Sequence, residues 1–156
     1  MDVPFNTSSD SSYQNTCEFM AILLGLLLAH FMKLHNFRYQ LIGDSTSSLS
    51  WAKAGRSPSH LAKRSLVIFS LLTMNMNCAA IHTIHIPGKD NVTYDKLSLH
   101  HSASSIGLDE SKQLFFEPTH PVQSILSLCN PLQPLISPSD HLSLSASILS
   151  LLRTNT

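Results

Sequence analysis

Three acidic residues stand where carboxylates could do chemistry. Residues 15–101 contain only four acids, and three of them, Glu18, Asp44 and Asp95, lie at the ends of predicted elements. Because ligands of open α/β sheets bind at the carboxyl ends of the strands, these three carboxylates are predicted to converge there. Such an oxygen site suits Mg²⁺ or Mn²⁺, and a pair of these ions can promote phosphodiester cleavage.

Each of these acids also has a purely structural explanation. Glu18 and Asp95 lie in the first turns of predicted helices, where the helix macrodipole alone favours an acid. Asp44 could be the N-cap of the helix that follows it. The spacing therefore leaves two interpretations open, a metal site and a set of helix-end acids.

The elements that must position these residues alternate between helix and strand. Asn15, with Glu18 three residues later, resembles a capping box and predicts a helix over 15–34. The further predicted elements are a strand at 38–43, helices at 45–53 and 57–74, a strand at 79–86 and a helix from Asn91. This order predicts an α/β fold with parallel strands.

Composition excludes several classes of protein. The 156 residues carry no net charge, which excludes an acidic tail or a basic arm as the whole protein. Three cysteines without CxxC spacing exclude a disulfide scaffold, so Cys17, Cys78 and Cys129 are interpreted as free thiols of a reducing compartment. Charged residues make up only 13%, about half the usual share, so each acid is more informative.

Residues 19–32 form the most apolar stretch. No Lys or Arg precedes it, so it does not fit a signal peptide, and it is shorter than the roughly 20 residues of a membrane span. We interpret it as a buried helix of an intracellular protein, cytoplasmic or nuclear, that is not secreted and has no membrane partner. The alternative is a small membrane-associated protein that residues 19–32 anchor.

The chain divides into three regions by composition. Residues 1–14 are predicted to be irregular, and residues 15–101 carry the alternating elements. Residues 102–156 are rich in Ser, Leu and Pro, and five prolines interrupt any long element. This third region is predicted to be a low-complexity tail.

The segments TCEFMAILLGLLLAH, LIGDSTSSLSWAKAG and HIPGKDNVTYDKLS resemble the type 1 ribonuclease H domain, in particular the one attached to retroelement reverse transcriptases. The resemblance covers residues 15–101, and its motifs occur in the order of that family. The matching residues are Glu18, Gly43-Asp44-Ser45, Trp51, His85-Ile86-Pro87-Gly88, Asn91, Asp95 and Leu97-Ser98.

The resemblance implies an endonuclease that hydrolyses the RNA strand of an RNA/DNA hybrid. By this resemblance Glu18, Asp44 and Asp95 are catalytic ligands of Mg²⁺ or Mn²⁺, on a mixed or parallel sheet with helices on both faces. It also implies substrate contacts from the last loop and from a basic surface that would meet the hybrid backbone. These residues are Asn91, Lys89, Lys53, Arg56, Lys63 and Arg64, of which the last four could equally be a solvated helix face.

The chain departs from the family before Glu18. The family carries a fourth carboxylate, an Asp in the first of three antiparallel strands, and too few residues precede Glu18 to hold them. We therefore expect a truncated domain of retroelement polyprotein origin that binds hybrids, with hydrolysis weakened or lost. The competing expectation is cleavage by the three remaining acids, alone or with a partner chain. Without those strands the 38–43 strand has an open edge, through which chains could associate.

Overall fold

The computed structural model describes residues 11–59, 62–99 and 104–109 and the single residues 111, 146 and 150. The elements are α1 (Ser11–Phe31), β1 (Arg38–Gly43), α2 (Thr46–Ala54), α3 (Lys63–Asn75), β2 (Ala80–His85) and α4 (Val92–Ser98), with 3₁₀ turns at Gly88–Asp90 and Ser104–Ile106. The predicted α/β class and the predicted order of elements are confirmed.

The two strands form a parallel pair, as the sequence predicts. The register runs from Arg38 opposite Ala80 to Gly43 opposite His85. The connection between them passes through α2 and α3, which is the crossover that parallel neighbours require. β-branched and aromatic residues in both strands favour the extended backbone.

The core lies where α1 crosses α2 and α3. Phe19, Leu23 and Leu27 of α1 are fully buried. The ring of Phe19 lies 5.4 Å from that of Phe69 in α3 and 6.2 Å from that of Trp51 in α2, at tilted angles typical of aromatic pairs. This packing fixes how α1 is rotated relative to the other two helices.

The helices cover one face of the sheet. Tyr39 and Leu41 of β1 and Ile81 of β2 pack against the helical core. On the opposite face Ile42 and Ile84 remain 44% and 39% exposed. The expected arrangement with helices on both faces is therefore not seen in the described part of the chain, because α1, α2 and α3 share a single core on one side.

The first helix begins earlier than expected. It is already helical at Ser11, the first described residue of its segment, so the expected irregular structure is wrong for residues 11–14. Asn15 is therefore inside α1 and is not its cap. Glu18 then lies beyond the first turn, and the helix macrodipole does not account for an acid at that position.

The second helix lies within one residue of its predicted bounds, although Ser45 and not Asp44 is its cap, and the third helix begins later than predicted. Ser45 caps α2 by accepting a hydrogen bond from the N–H of Ser48, and Gly55 ends it with a left-handed φ of 63°. The third helix begins at Lys63 and not at Ser57. The Ser57 hydroxyl instead accepts from the N–H of Ser59 in a local turn.

The remaining regional predictions lie outside the described residues, since these include none of residues 1–10 and only a few positions beyond 101. In the described part of the chain, one helical stretch, Tyr13–Phe31, is long and apolar enough to cross a membrane by length and composition. The same stretch supplies Phe19, Leu23 and Leu27 to the core.

A matched pair of substitutions in α3 tests the packing. Leu72 is fully buried and Met74, two residues later, is 77% exposed. We expect Leu72→Ala to lower the free energy of unfolding by about 2–5 kcal/mol, because a cavity replaces packed methyl groups. Met74→Ala should change it by less than about 0.5 kcal/mol. Urea unfolding followed by circular dichroism measures both, and equal losses would contradict this packing.

Candidate functional site

An open cleft of about 570 Å³ lies between α1 and β1. One wall is the α1 face that carries Ala21, Ile22, Gly25 and Leu26. The floor is formed by residues 39–45, which belong to β1 and the loop after it. Three residues of the predicted site line it: Glu18, Asp44 and Asn91. The structure therefore brings two of the three predicted carboxylates to one cleft.

Glu18 reaches the cleft because its neighbour is buried. Successive helix residues differ by about 100° around the axis, so anchoring Phe19 in the core turns Glu18 toward the side of α1. Its Oε1 accepts a hydrogen bond of 3.3 Å from Gln14 Nε2, one turn earlier. Its Oε2 lies 3.5 Å from the hydroxyl of Ser48, at the outer limit of a hydrogen bond.

Asp44 lies one residue past the carboxyl end of β1. Since Ser45 caps α2, the carboxylate of Asp44 is not explained as a cap. His85 Nε2 lies 3.1 Å from the Asp44 carbonyl oxygen, where the Nε2–H tautomer donates and ties the ends of both strands together. A Cβ on Gly88 would come 3.9 Å from Asp44 Oδ2, so the 3₁₀ turn passes close to this carboxylate.

Asp95 is connected to the cleft through Asn91. Asn91 is only 8% exposed, and its Nδ2 donates a 3.3 Å hydrogen bond to Asp95 Oδ1. The Oδ1 of Asn91 is buried and has no hydrogen-bond partner among the described residues. A buried acceptor left without a donor carries a free-energy cost, which a bound donor would relieve.

The donor atoms suit a hard cation in type but not in number. Carboxylate oxygens are the ligands that Mg²⁺ and Mn²⁺ prefer, and Glu18 and Asp44 would hold such an ion. Within the described residues, however, no group of three His, Cys, Asp or Glu side chains comes close enough to hold a metal ion. Two carboxylates on an open wall make a weak cation site.

The predicted basic residues differ in their exposure. Lys53, Arg56 and Lys63 are exposed, as is Lys89 in the 3₁₀ turn beside Asn91. Arg64 is only 8% exposed and has an interaction within the protein, so it offers little surface to a ligand. The helical period places it on the inner side of α3, next to the fully buried Ser65.

A second cleft, of about 810 Å³, lies on the other side of α2. Its walls combine hydroxyl groups with one guanidinium group, and α2 and the loop after it provide them. The lining residues are Thr46, Ser47, Ser50, Trp51, Ala54, Arg56, Ser57 and Pro58. Ser, Thr and Arg side chains are frequent donors to nucleic-acid phosphates.

Sequence reasoning missed Ser48, which joins the two walls of the first cleft. It is fully buried, and its hydroxyl donates to the carbonyl of Asn15 over 2.8 Å. The hydroxyl of Ser45 lies 2.8 Å from it. Helical spacing gives the signal that would have found it, because Ser48 shares the inner face of α2 with Leu49, Trp51 and Ala52.

The hydroxyl of Ser48 carries a single proton, so its nearest acceptor decides where that proton goes. Asn15 O or Ser45 Oγ, each 2.8 Å away, takes it in preference to Glu18 Oε2 at 3.5 Å. The Oε2 of Glu18 therefore keeps its lone pairs available on the cleft side. This arrangement leaves an acceptor that a ligand donor or a cation can use.

The two described cysteines are free thiols, as the sequence predicts. Burial raises the pKa of the Cys17 thiol, and the neighbouring Glu18 carboxylate raises it further. Burial also raises the pKa of Cys78. Both groups stay protonated at neutral pH, which makes them poor nucleophiles.

Two serines of α2 test the connection between the cleft walls. We expect Ser48→Ala to destabilise the fold by about 1–3 kcal/mol relative to Ser50→Ala, because only Ser48 makes buried hydrogen bonds. Both changes give the helix the same gain in propensity, so their difference isolates the hydroxyl. Urea unfolding measures it, and equal stabilities would remove Ser48 from the site.

Comparisons with known proteins add no relative: no family model, no curated protein and no solved structure matches this chain.

Proposed function

We propose that residues 15–101 form a retroelement-derived, ribonuclease H-like domain that binds RNA/DNA hybrids and has weak or no hydrolytic activity. One observation carries the proposal: Glu18 and Asp44, from separate elements, line one cleft together with Asn91. They are the residues that the resemblance names, and 26 positions of sequence separate the two carboxylates.

The surface around α2 supports contact with a nucleic-acid backbone. Ser45 and Ser48 line the first cleft. Thr46 and Ser47, which lie between them in the sequence, line the hydroxyl-rich second cleft. One strand laid across α2 would therefore meet hydroxyl donors, the guanidinium of Arg56 and the exposed ammonium of Lys53. The partial positive charge of the helix macrodipole at the N-terminal end of α2 adds to the attraction for phosphate.

The proposed loss of hydrolysis depends on the number of carboxylates. Cleavage with two metal ions needs ligands that hold both ions about 4 Å apart. Among the described residues, only Glu18 and Asp44 line the cleft as acids, and Asp95 is hydrogen-bonded to Asn91. The surface that binds the hybrid can therefore be retained in a chain that has lost the carboxylates needed for hydrolysis.

Charge removal on α2 tests hybrid binding. We expect Lys53→Gln and Arg56→Gln each to weaken binding of a labelled RNA/DNA hybrid, because each removes a phosphate contact. Each change should also reduce the slope of log K against log salt by about 1. Fluorescence anisotropy over a salt series provides both values.

Lys33→Gln is the matched control for this experiment. Lys33 follows the carboxyl end of α1, about 20 Å along the helix axis from Glu18. Neutralising it removes the same charge without touching α2. Equal weakening by all three variants would show that only net charge matters, and the proposed surface would be wrong.

Catalysis is tested separately from binding. With Mg²⁺ or Mn²⁺ we expect weak cleavage of a hybrid or none, since the described cleft holds two acids. Gel analysis of an end-labelled RNA strand measures this. Efficient, multiple-turnover cleavage by the wild type that disappears in Asp44→Asn would overturn the proposed weakening or loss of activity while leaving the binding proposal intact.

A second candidate function is supported by the length and apolarity of Tyr13–Phe31, which fit a membrane anchor at residues 19–32. The two functions make opposite demands on α1, because the core needs Phe19, Leu23 and Leu27. We expect the chain to refold in water without detergent and to stay in the aqueous fraction when floated with neutral phospholipid vesicles. Flotation with the vesicles would favour the anchor.

A further inference from the structure

The outer edge of β1 presents unpaired backbone groups. In the described part of the chain, β2 is the sole strand neighbour of β1. The carbonyl of Gly43 accepts a 2.9 Å hydrogen bond from the N–H of Ile86, so odd-numbered residues of β1 face β2. Peptide groups alternate along a strand, so those of Arg38, Gln40 and Ile42 point to the other edge.

We propose that this edge pairs with the same edge of a second copy of the chain, antiparallel and with Leu41 on the two-fold axis. The sheet would then have four strands, in the order β2, β1, β1 of the second copy and β2 of the second copy. An isolated two-stranded sheet is only marginally stable in water, whereas a four-stranded sheet also pairs the backbone groups of the two β1 edges. The proposal does not depend on the proposed function.

Charge selects this register. Arg38 opens β1 and Asp44 follows its last residue, so antiparallel pairing about Leu41 places Arg38 opposite Asp44 of the second copy, twice by symmetry. Opposite charges directly across a ladder stabilise it, and like charges destabilise it. Both residues are exposed, and their side chains lie on the same side of the strand.

The other pairs in this register also fit. Tyr39 lies opposite Gly43 of the second copy, where no side chain competes for space, and Leu41 meets its own counterpart on the helix-covered side. The adjacent wall of α1 carries Ala21, Ile22, Gly25 and Leu26, with open space above Gly25.

The outer edge of β2 lacks such complementarity. Its residues, Ala80–His85, include no Asp, Glu, Lys or Arg, so pairing of two β2 edges would bring no opposite charges together. Residue 80 of β2 carries only a methyl group, at the position that Arg38 holds in β1. Charge therefore favours β1 over β2 as the interface.

A charge-reversal cycle tests the register. Sedimentation equilibrium over a wide concentration range should show a monomer–dimer equilibrium for the full chain. Arg38→Asp and Asp44→Arg should each weaken the dimer about tenfold, because each replaces two attractive pairs with two repulsive ones. The double variant should recover wild-type dimerisation. A monomeric wild type, or a double variant no better than the single ones, would overturn the proposal.

Proline substitutions test the edge itself. Gln40→Pro removes an outward N–H of β1, and Thr83→Pro removes one from the outer edge of β2, because even-numbered residues of β2 face β1. With the fold checked by circular dichroism, only Gln40→Pro should abolish the dimer. A dimer that survives it, or that only Thr83→Pro disrupts, uses another surface. If either variant fails to fold, the charge-reversal cycle decides.

Discussion

The rotational setting of α1 governs both the core and the cleft. Phe19 is held between the rings of Trp51 and Phe69, and its complete burial leaves α1 little freedom to turn. Glu18, the preceding residue, is thereby directed at the cleft beside β1. A different rotation would bury the carboxylate at a large desolvation cost or aim it at solvent. The position of the Glu18 carboxylate in the cleft is thus a consequence of the aromatic packing around Phe19.

The strands could be predicted almost residue by residue because local chemistry defines them. β-branched and aromatic residues favour extension, and Gly43 and Pro87-Gly88 limit it. Ser45 and Gly55 bound α2 for equally local reasons. The start of α1 could not be predicted this way. Asn15 looks like a cap, yet inside the helix its carbonyl accepts the hydroxyl of Ser48 from another helix, a contact that only the tertiary fold creates.

The site was predictable to the extent that topology determines it. Parallel strands place their carboxyl ends together, so Asp44 and Asp95 were expected to meet at that end. Asp44 does line the cleft, whereas Asp95 is hydrogen-bonded to Asn91, which lines it. Whether Arg64 is buried depends on which face of α3 packs inward. The predicted helical pattern of α3 includes the polar Ser65, and it did not reveal which face that is. The partnerless Oδ1 of Asn91 likewise depends on atomic contacts that spacing cannot specify.

Asp44 belongs to two surfaces at once, since it lines the cleft and also ends the open edge of β1. An occupant of that edge therefore changes the electrostatics of the cleft. If Arg38 of a second copy lies opposite Asp44, its guanidinium offsets the charge that repels phosphate and also competes with any cation for the carboxylate oxygens. The same pairing would favour an anionic backbone near α2 and disfavour a metal ion at Asp44. The pairing of the edge and the binding of a cation at Asp44 are therefore in competition for the same carboxylate.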